Sequence, residues 1–157
     1  MEKKTLTIPY EEYTSINELS AEDRALLEAA IDATKGSYAP YSHFNVGAAV
    51  RLEDGTVVKG ANQENAAYPL GLCAERTAMF AAGAQYPGVA IEALAVICAR
   101  DGSLMLNPGS PCGACRQVMA QYERMAMKPM RIILGSGGPI LVFEGVQSLM
   151  PLIFNDL

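Results

Sequence analysis

The sequence predicts an α/β domain in which helices pack on a mixed sheet. Three observations carry this reading. Segments of helical period alternate with short apolar strands in the order α-β-β-α-β-α-β-β. The run from Ile91 to Ala99 is almost continuously apolar, as in a strand buried on both faces. Finally, 157 residues, half of them hydrophobic and 18% charged, suit one compact domain with a single core.

Each element can be read in turn. Residues before Ser20 are polar and irregular, and are expected to form an arm over 1–18, with the domain proper over 19–157. Ser20 followed by Asp23 resembles a capping box, with Asp in place of the usual Glu or Gln. Behind it Leu26, Ala29, Ala30 and Ala33 recur at helical spacing, and Gly36 is a natural stop. Val46, Ala48, Val50 and Leu52 alternate as a strand, Asp54-Gly55 turns, and Val57-Val58 begin the partner strand. A loop from about Asn62 to Leu72 leads to an Ala-rich helix beginning at CAERTAMF. After the Ile91 strand, a Gly/Pro-rich loop delivers a second helix at CGACRQVMAQY. Strands at Arg131–Leu134 and about Pro139–Phe143 follow, with a short helical tail near Pro151.

Composition narrows the partners. A net charge of -5 gives no general attraction to nucleic acid or to anionic lipid. No apolar run reaches the roughly 18 residues of a membrane span. The N-terminal segment is basic but has no apolar stretch behind it, so no secretory signal is expected. These features point to a cytoplasmic protein acting on a small molecule.

The cysteines carry the chemistry. If Cys112 opens a helix, Cys115 lies one turn further on the same face, and both sulfurs can reach one ion. A lone Cys-x-x-Cys is equally compatible with a redox pair. Cys73, placed before its own helix, shifts the balance toward metal, since helix N-termini favour thiolate. Three protein ligands with one position left for water is the pattern of a catalytic zinc site. The single histidine, His43, is read as an ordinary polar or packing residue, and Cys98 as a small core residue. Three thiolates around a divalent cation leave one net negative charge, which Arg76 could offset by hydrogen bonds to sulfur. Glu75, two residues after Cys73, is a carboxylate beside the metal and so a candidate proton shuttle.

The segments Cys73-Ala74-Glu75-Arg76-Thr77-Ala78 and Ser110-Pro111-Cys112-Gly113-Ala114-Cys115-Arg116-Gln117-Val118 closely resemble cytidine deaminases of the small homotetrameric type. Tyr38–Phe44 and Gly60–Tyr68 are similar to that family's segment before the first strand and its nucleoside loop. The resemblance implies a three-layer α/β/α domain with a mixed five-stranded sheet and one zinc per subunit. It implies hydrolytic deamination of cytidine and deoxycytidine, with Glu75 moving protons. It also implies that Asn62 and Glu64 bind the ribose hydroxyls, Phe44 packs on the pyrimidine, and backbone groups near Ala74 meet the base edge. Phe154, after Leu149-Met150-Pro151, matches an aromatic that closes a neighbouring subunit's site. Gln63 departs from the aliphatic residue common in that loop. Two rivals share parts of the pattern: a deaminase of another aminopyrimidine nucleoside such as blasticidin S, and a non-catalytic zinc-binding module. Asn62, Glu64 and Phe44 disfavour the first, and Glu75 with the absent fourth ligand disfavours the second.

Overall fold

A computed structural model describes residues 1–154. The strands are β1 (Glu11–Tyr13), β2 (Phe44–Leu52), β3 (Val57–Ala61), β4 (Ile91–Arg100), β5 (Ser103–Leu104), β6 (Arg131–Gly135) and β7 (Ile140–Glu144). The helices are α1 (Ala21–Ala33), α2 (Ala74–Gln85) and α3 (Gly113–Ala126). The strands form one sheet in the order β1-β7-β6-β4-β2-β3, with β5 paired to β4. Only β4 and β6 run parallel, so the sheet is mixed.

The sheet has seven strands rather than the expected five. Both additions lie in segments read as irregular. Glu11–Tyr13 pair with β7 at the sheet edge, where Tyr10 stacks on Phe143 and Arg131 reaches Glu11. Ser103–Leu104 fold back on β4 after a reversal at Asp101 and Gly102, both in the left-handed region. Two- and three-residue strands carry too little hydrophobic alternation to announce themselves; neighbours supply their pairing. The expected helical tail near Pro151 is instead a single 3-10 turn at Val146–Ser148.

Alternation along the strands builds two cores. Ala48, Val50, Leu94, Val96, Ile132 and Leu134 face α2 and α3. Ala49, Ala93, Ala95, Ile97 and Ile133 face Leu26, Leu27 and Ala30 of α1. This is the three-layer α/β/α arrangement, and β4 is indeed buried on both faces. Ser20 Oγ accepts the Asp23 N–H at 3.1 Å, the expected cap of α1.

One contact positions the functional helix. A Cβ added at Gly60 of β3 would lie 2.3 Å from the Ala78 nitrogen and 2.7 Å from the Ala74 carbonyl oxygen. The missing side chain lets the first turns of α2 lie directly on the sheet, which sets the depth of Cys73 and Glu75.

Candidate active site

The helices α2 and α3 point their N-termini at a common place. Cys73 and Cys112 occupy their N-cap positions with extended backbone, and Cys115 lies one turn into α3. The Cys73 and Cys112 sulfurs are 3.9 Å apart, those of Cys112 and Cys115 3.5 Å, and all three lie within 4.8 Å of one another. Tetrahedral zinc with Zn–S bonds of about 2.3 Å places sulfurs about 3.8 Å apart, so this triad fits the ion. No other group of three His, Cys, Asp or Glu residues among those described could hold a metal. His43 lies outside this group, in the turn before β2 with a φ of 55°.

The environment favours thiolate at Cys73. The Cys73 thiol is lowered to about 5 by its hydrogen bond with Cys115, with Arg76 and Cys112 assisting. That same hydrogen bond, together with burial, pushes the Cys115 thiol up. Arg76 Nη2 stands 3.6 Å from Cys73 Sγ, as its position beside Glu75 suggested. Its Nε is buried without a hydrogen-bond partner.

Glu75 is 5% exposed and lies outside the sulfur triad. Burial pushes its carboxyl above the ordinary carboxylate range, and the charge on Cys73 pushes it in the same direction. A carboxyl so raised holds its proton more readily than an exposed one, which suits a group that must take up and release protons. Ala74, fully buried, begins α2. Backbone N–H groups in such a first turn have no partner within the helix and are available to a ligand.

These residues open onto a cleft of about 660 Å³ whose wall includes Phe44, Asn62, Glu64, Cys73, Glu75 and Cys112. Cys98 also lines it; burial pushes its thiol up to about 11, so it is an inert wall rather than a ligand. The cleft therefore gathers Phe44 from the start of β2, Asn62 and Glu64 from the loop after β3, and Cys73, Glu75 and Cys112 from two helix starts.

Asn62 and Glu64 are held in ways the sequence did not reveal. Asn62 Oδ1 accepts from Ser37 Oγ and from the Val46 N–H, while Nδ2 donates to the Phe44 carbonyl at 2.9 Å. The amide thus braces β2 against the end of β3, with one Nδ2 hydrogen left over. Glu64 Oε2 accepts from the Tyr41 and Ser42 N–H groups at 2.9 and 3.3 Å. Hydrogen bonds from Ser42 and Tyr41 hold this carboxyl below its usual value. It is an aimed, ionised acceptor with its second oxygen available.

Phe154 is not part of the cleft of its own chain. It is 66% exposed, and its carbonyl accepts from Gln117 Nε2. Arg116 is an organising residue that sequence reasoning left without a role. Its guanidinium binds the Pro111 and Leu149 carbonyls and Ser110 Oγ, tying the approach to α3 to the C-terminal segment. Its place directly after Cys115 was the available signal.

Comparisons with known proteins agree with this geometry. Residues 20–129 match the family model described as the cytidine and deoxycytidylate deaminase zinc-binding region. A cytidine deaminase of Halalkalibacterium halodurans is 49% identical over 96 residues, covering 61% of this chain and 68% of the relative. A crystal structure of cytidine deaminase from Burkholderia pseudomallei superposes with a TM-score of 0.70 at 42% identity, covering 83% and 97% of the two chains. Cytidine deaminase from Mycobacterium tuberculosis superposes at 0.66 with 33% identity, over 87% and 99%. A sulfur triad fit for one zinc per subunit, a buried glutamate beside it and a match across most of the domain place this chain in the cytidine deaminase family.

Proposed function

We propose that this protein converts cytidine and deoxycytidine to uridine and deoxyuridine, consuming water and releasing ammonia, as a step of pyrimidine salvage in the cytoplasm. The carrying observation is Glu75: a buried carboxyl, raised in pKa, in the wall of a cleft of about 660 Å³ that also holds Cys73 and Cys112. Zinc bound by Cys73, Cys112 and Cys115 supplies Lewis acidity that makes water acidic enough to attack near neutral pH.

The chain's own groups do the rest. Glu75 takes a proton from the attacking water and delivers it to ring nitrogen 3, which makes carbon 4 electrophilic. The water oxygen bonds to carbon 4. Glu75 then takes the second proton from that new hydroxyl and passes it to the exocyclic amine, which leaves as ammonia as the carbon 4–nitrogen bond breaks and the carbonyl forms. Backbone groups at Ala74 hold the base edge, and Phe44 packs on the ring. The free oxygen of Glu64 and the spare Asn62 hydrogen bind the sugar hydroxyls. Arg76 holds Cys73 and offsets the excess thiolate charge.

The domain is assigned to residues 19–157, with 1–18 as an N-terminal arm, and the working form is a homotetramer with shared sites. The acidic surface does not favour nucleic acid as a partner. Among the described residues no helix is long and apolar enough to cross a membrane.

The test is ultraviolet monitoring of cytidine with purified protein, with and without a strong chelator, alongside Glu75→Gln. Chelator should abolish turnover. The variant should keep its zinc and lose about 10²–10⁴-fold or more in rate. Turnover that survives complete zinc removal, or near-normal activity in Glu75→Gln, would sink the reading.

A further inference from the structure

Phe44 opens β2 and Arg100 closes β4, and the two are directly opposite in the antiparallel register. Opposed residues on neighbouring antiparallel strands project to the same face. The register therefore delivers the guanidinium to the ring, with Arg100 Cζ 5.5 Å from the Phe44 centroid. That is within the range of a cation–π contact. Both residues line the cleft that holds Cys73, Glu75 and Cys112.

The rest of Phe44 is anchored, but its ring is not. Its carbonyl accepts from Asn62 and its N–H donates to Ser42 Oγ. The side chain belongs to neither buried apolar cluster, so core packing does not choose its rotamer. Arg100, by contrast, is held at the backbone from two sides, by Phe44 of β2 and by Ser103 of β5. The reversal at Asp101 and Gly102 folds β5 onto that edge. Among the described residues Arg100 enters no ion pair that would draw its head away.

We propose that Arg100 is a positioning residue for nucleoside binding: it covers one side of the Phe44 ring and holds that ring in the orientation that receives the pyrimidine. This rests on the reading that Phe44 packs against the base. Because the ring contact is the same before and during reaction, the effect falls on KM and leaves kcat.

Four full-length, zinc-loaded variants test it: Arg100→Met, Arg100→Lys, Phe44→Ala and the Phe44→Ala/Arg100→Met double. The readouts are KM and kcat for cytidine and the calorimetric Kd of uridine, with zinc content and thermal midpoint checking the fold. Arg100→Met should raise KM and Kd about two- to fivefold, the scale of an exposed cation–π contact, with kcat within about twofold. Arg100→Lys keeps the cation and should restore most of the loss. In the Phe44→Ala background, Arg100→Met should add nothing.

If Phe44→Ala weakens binding but Arg100→Met does not, Arg100 has no positioning role and the base-packing reading stands. If Phe44→Ala itself leaves KM and Kd unchanged, base packing fails and positioning fails with it. Failure of Arg100→Lys to rescue, or an undiminished Arg100→Met effect without the Phe44 ring, also overturns the proposal.

Discussion

Gly60 of β3 lies against Ala78 of α2 so closely that a glycine Cβ would stand 2.3 Å from the helix nitrogen. That approach seats the α2 N-terminus, and with it Cys73 and Glu75, at the height of the α3 thiols. Gly60→Ala should therefore cost stability, about 1–3 kcal/mol by analogy with overpacked cores, and also weaken zinc retention. Gly55→Ala is the control: Gly55 has a φ of +85° but open space around it, in the β2–β3 turn. Its thermal midpoint should fall without zinc loss. Equal zinc retention in the two variants would show that the Gly60 contact does not set the site.

Arg76 donates to Cys73 from a half-buried position, where its charge would offset the negative excess of three thiolates. Removing such a supporting group typically costs about 10–100-fold in metal affinity. Arg76→Ala should lose zinc to a competing chelator in that range, and Arg76→Lys should fall between it and the parent. An unchanged competition curve for Arg76→Ala would reduce the arginine to an ordinary helix residue.

Glu64 presents an ionised oxygen aimed by two backbone N–H groups. A polar group left unpaired by a truncated substrate can reject it by about 10⁴-fold or more. Free cytosine should be a far poorer substrate than cytidine, and Glu64→Ala should narrow the gap by harming cytidine alone. Equal turnover of the two by the parent protein would remove the sugar-binding role.

Asp32 at the end of α1 accepts from Lys35 and Lys59, and these hydrogen bonds lower its carboxyl to about 2 from 3.8. The folded state thus holds the charged form better than the unfolded chain does. Its contribution is complete above about pH 3.8 and disappears as pH falls through about 2. Because the group is exposed, the effect is small and salt-sensitive. Asp32→Asn should flatten the acid limb of the stability profile at low salt, measured by chemical denaturation between pH 4 and 2. A profile parallel to the parent's would show that the pair is without consequence.

Phe154 is solvent-exposed and outside its own cleft, the disposition required if it serves a neighbour. Glu75→Ala and Phe154→Ala, each impaired alone, should regain activity when co-expressed, because one subunit can supply Glu75 and another Phe154. Mixed oligomers no more active than the sum of the two would confine Phe154 to its own chain.

Much of this protein was legible in the sequence because its signals are local. The Ser20 cap, the alternation along β2 and the apolar β4 depend on residues within a few positions, and each element lies where it was expected. The sulfur triad was legible for a similar reason: Cys112 and Cys115 share a helix turn, and Cys73 caps the start of another. Tertiary structure alone decided what depends on distant partners. The strands at Glu11–Tyr13 and Ser103–Leu104 exist because a neighbouring edge completes their hydrogen bonds. Asn62 became a brace between strands because Ser37, Val46 and Phe44 converge on its amide. Arg100 reached Phe44 across 55 intervening positions only through the pairing of β2 with β4. Local periodicity specifies which face of a strand is buried; register, set jointly by two strands and their turns, specifies which side chains meet.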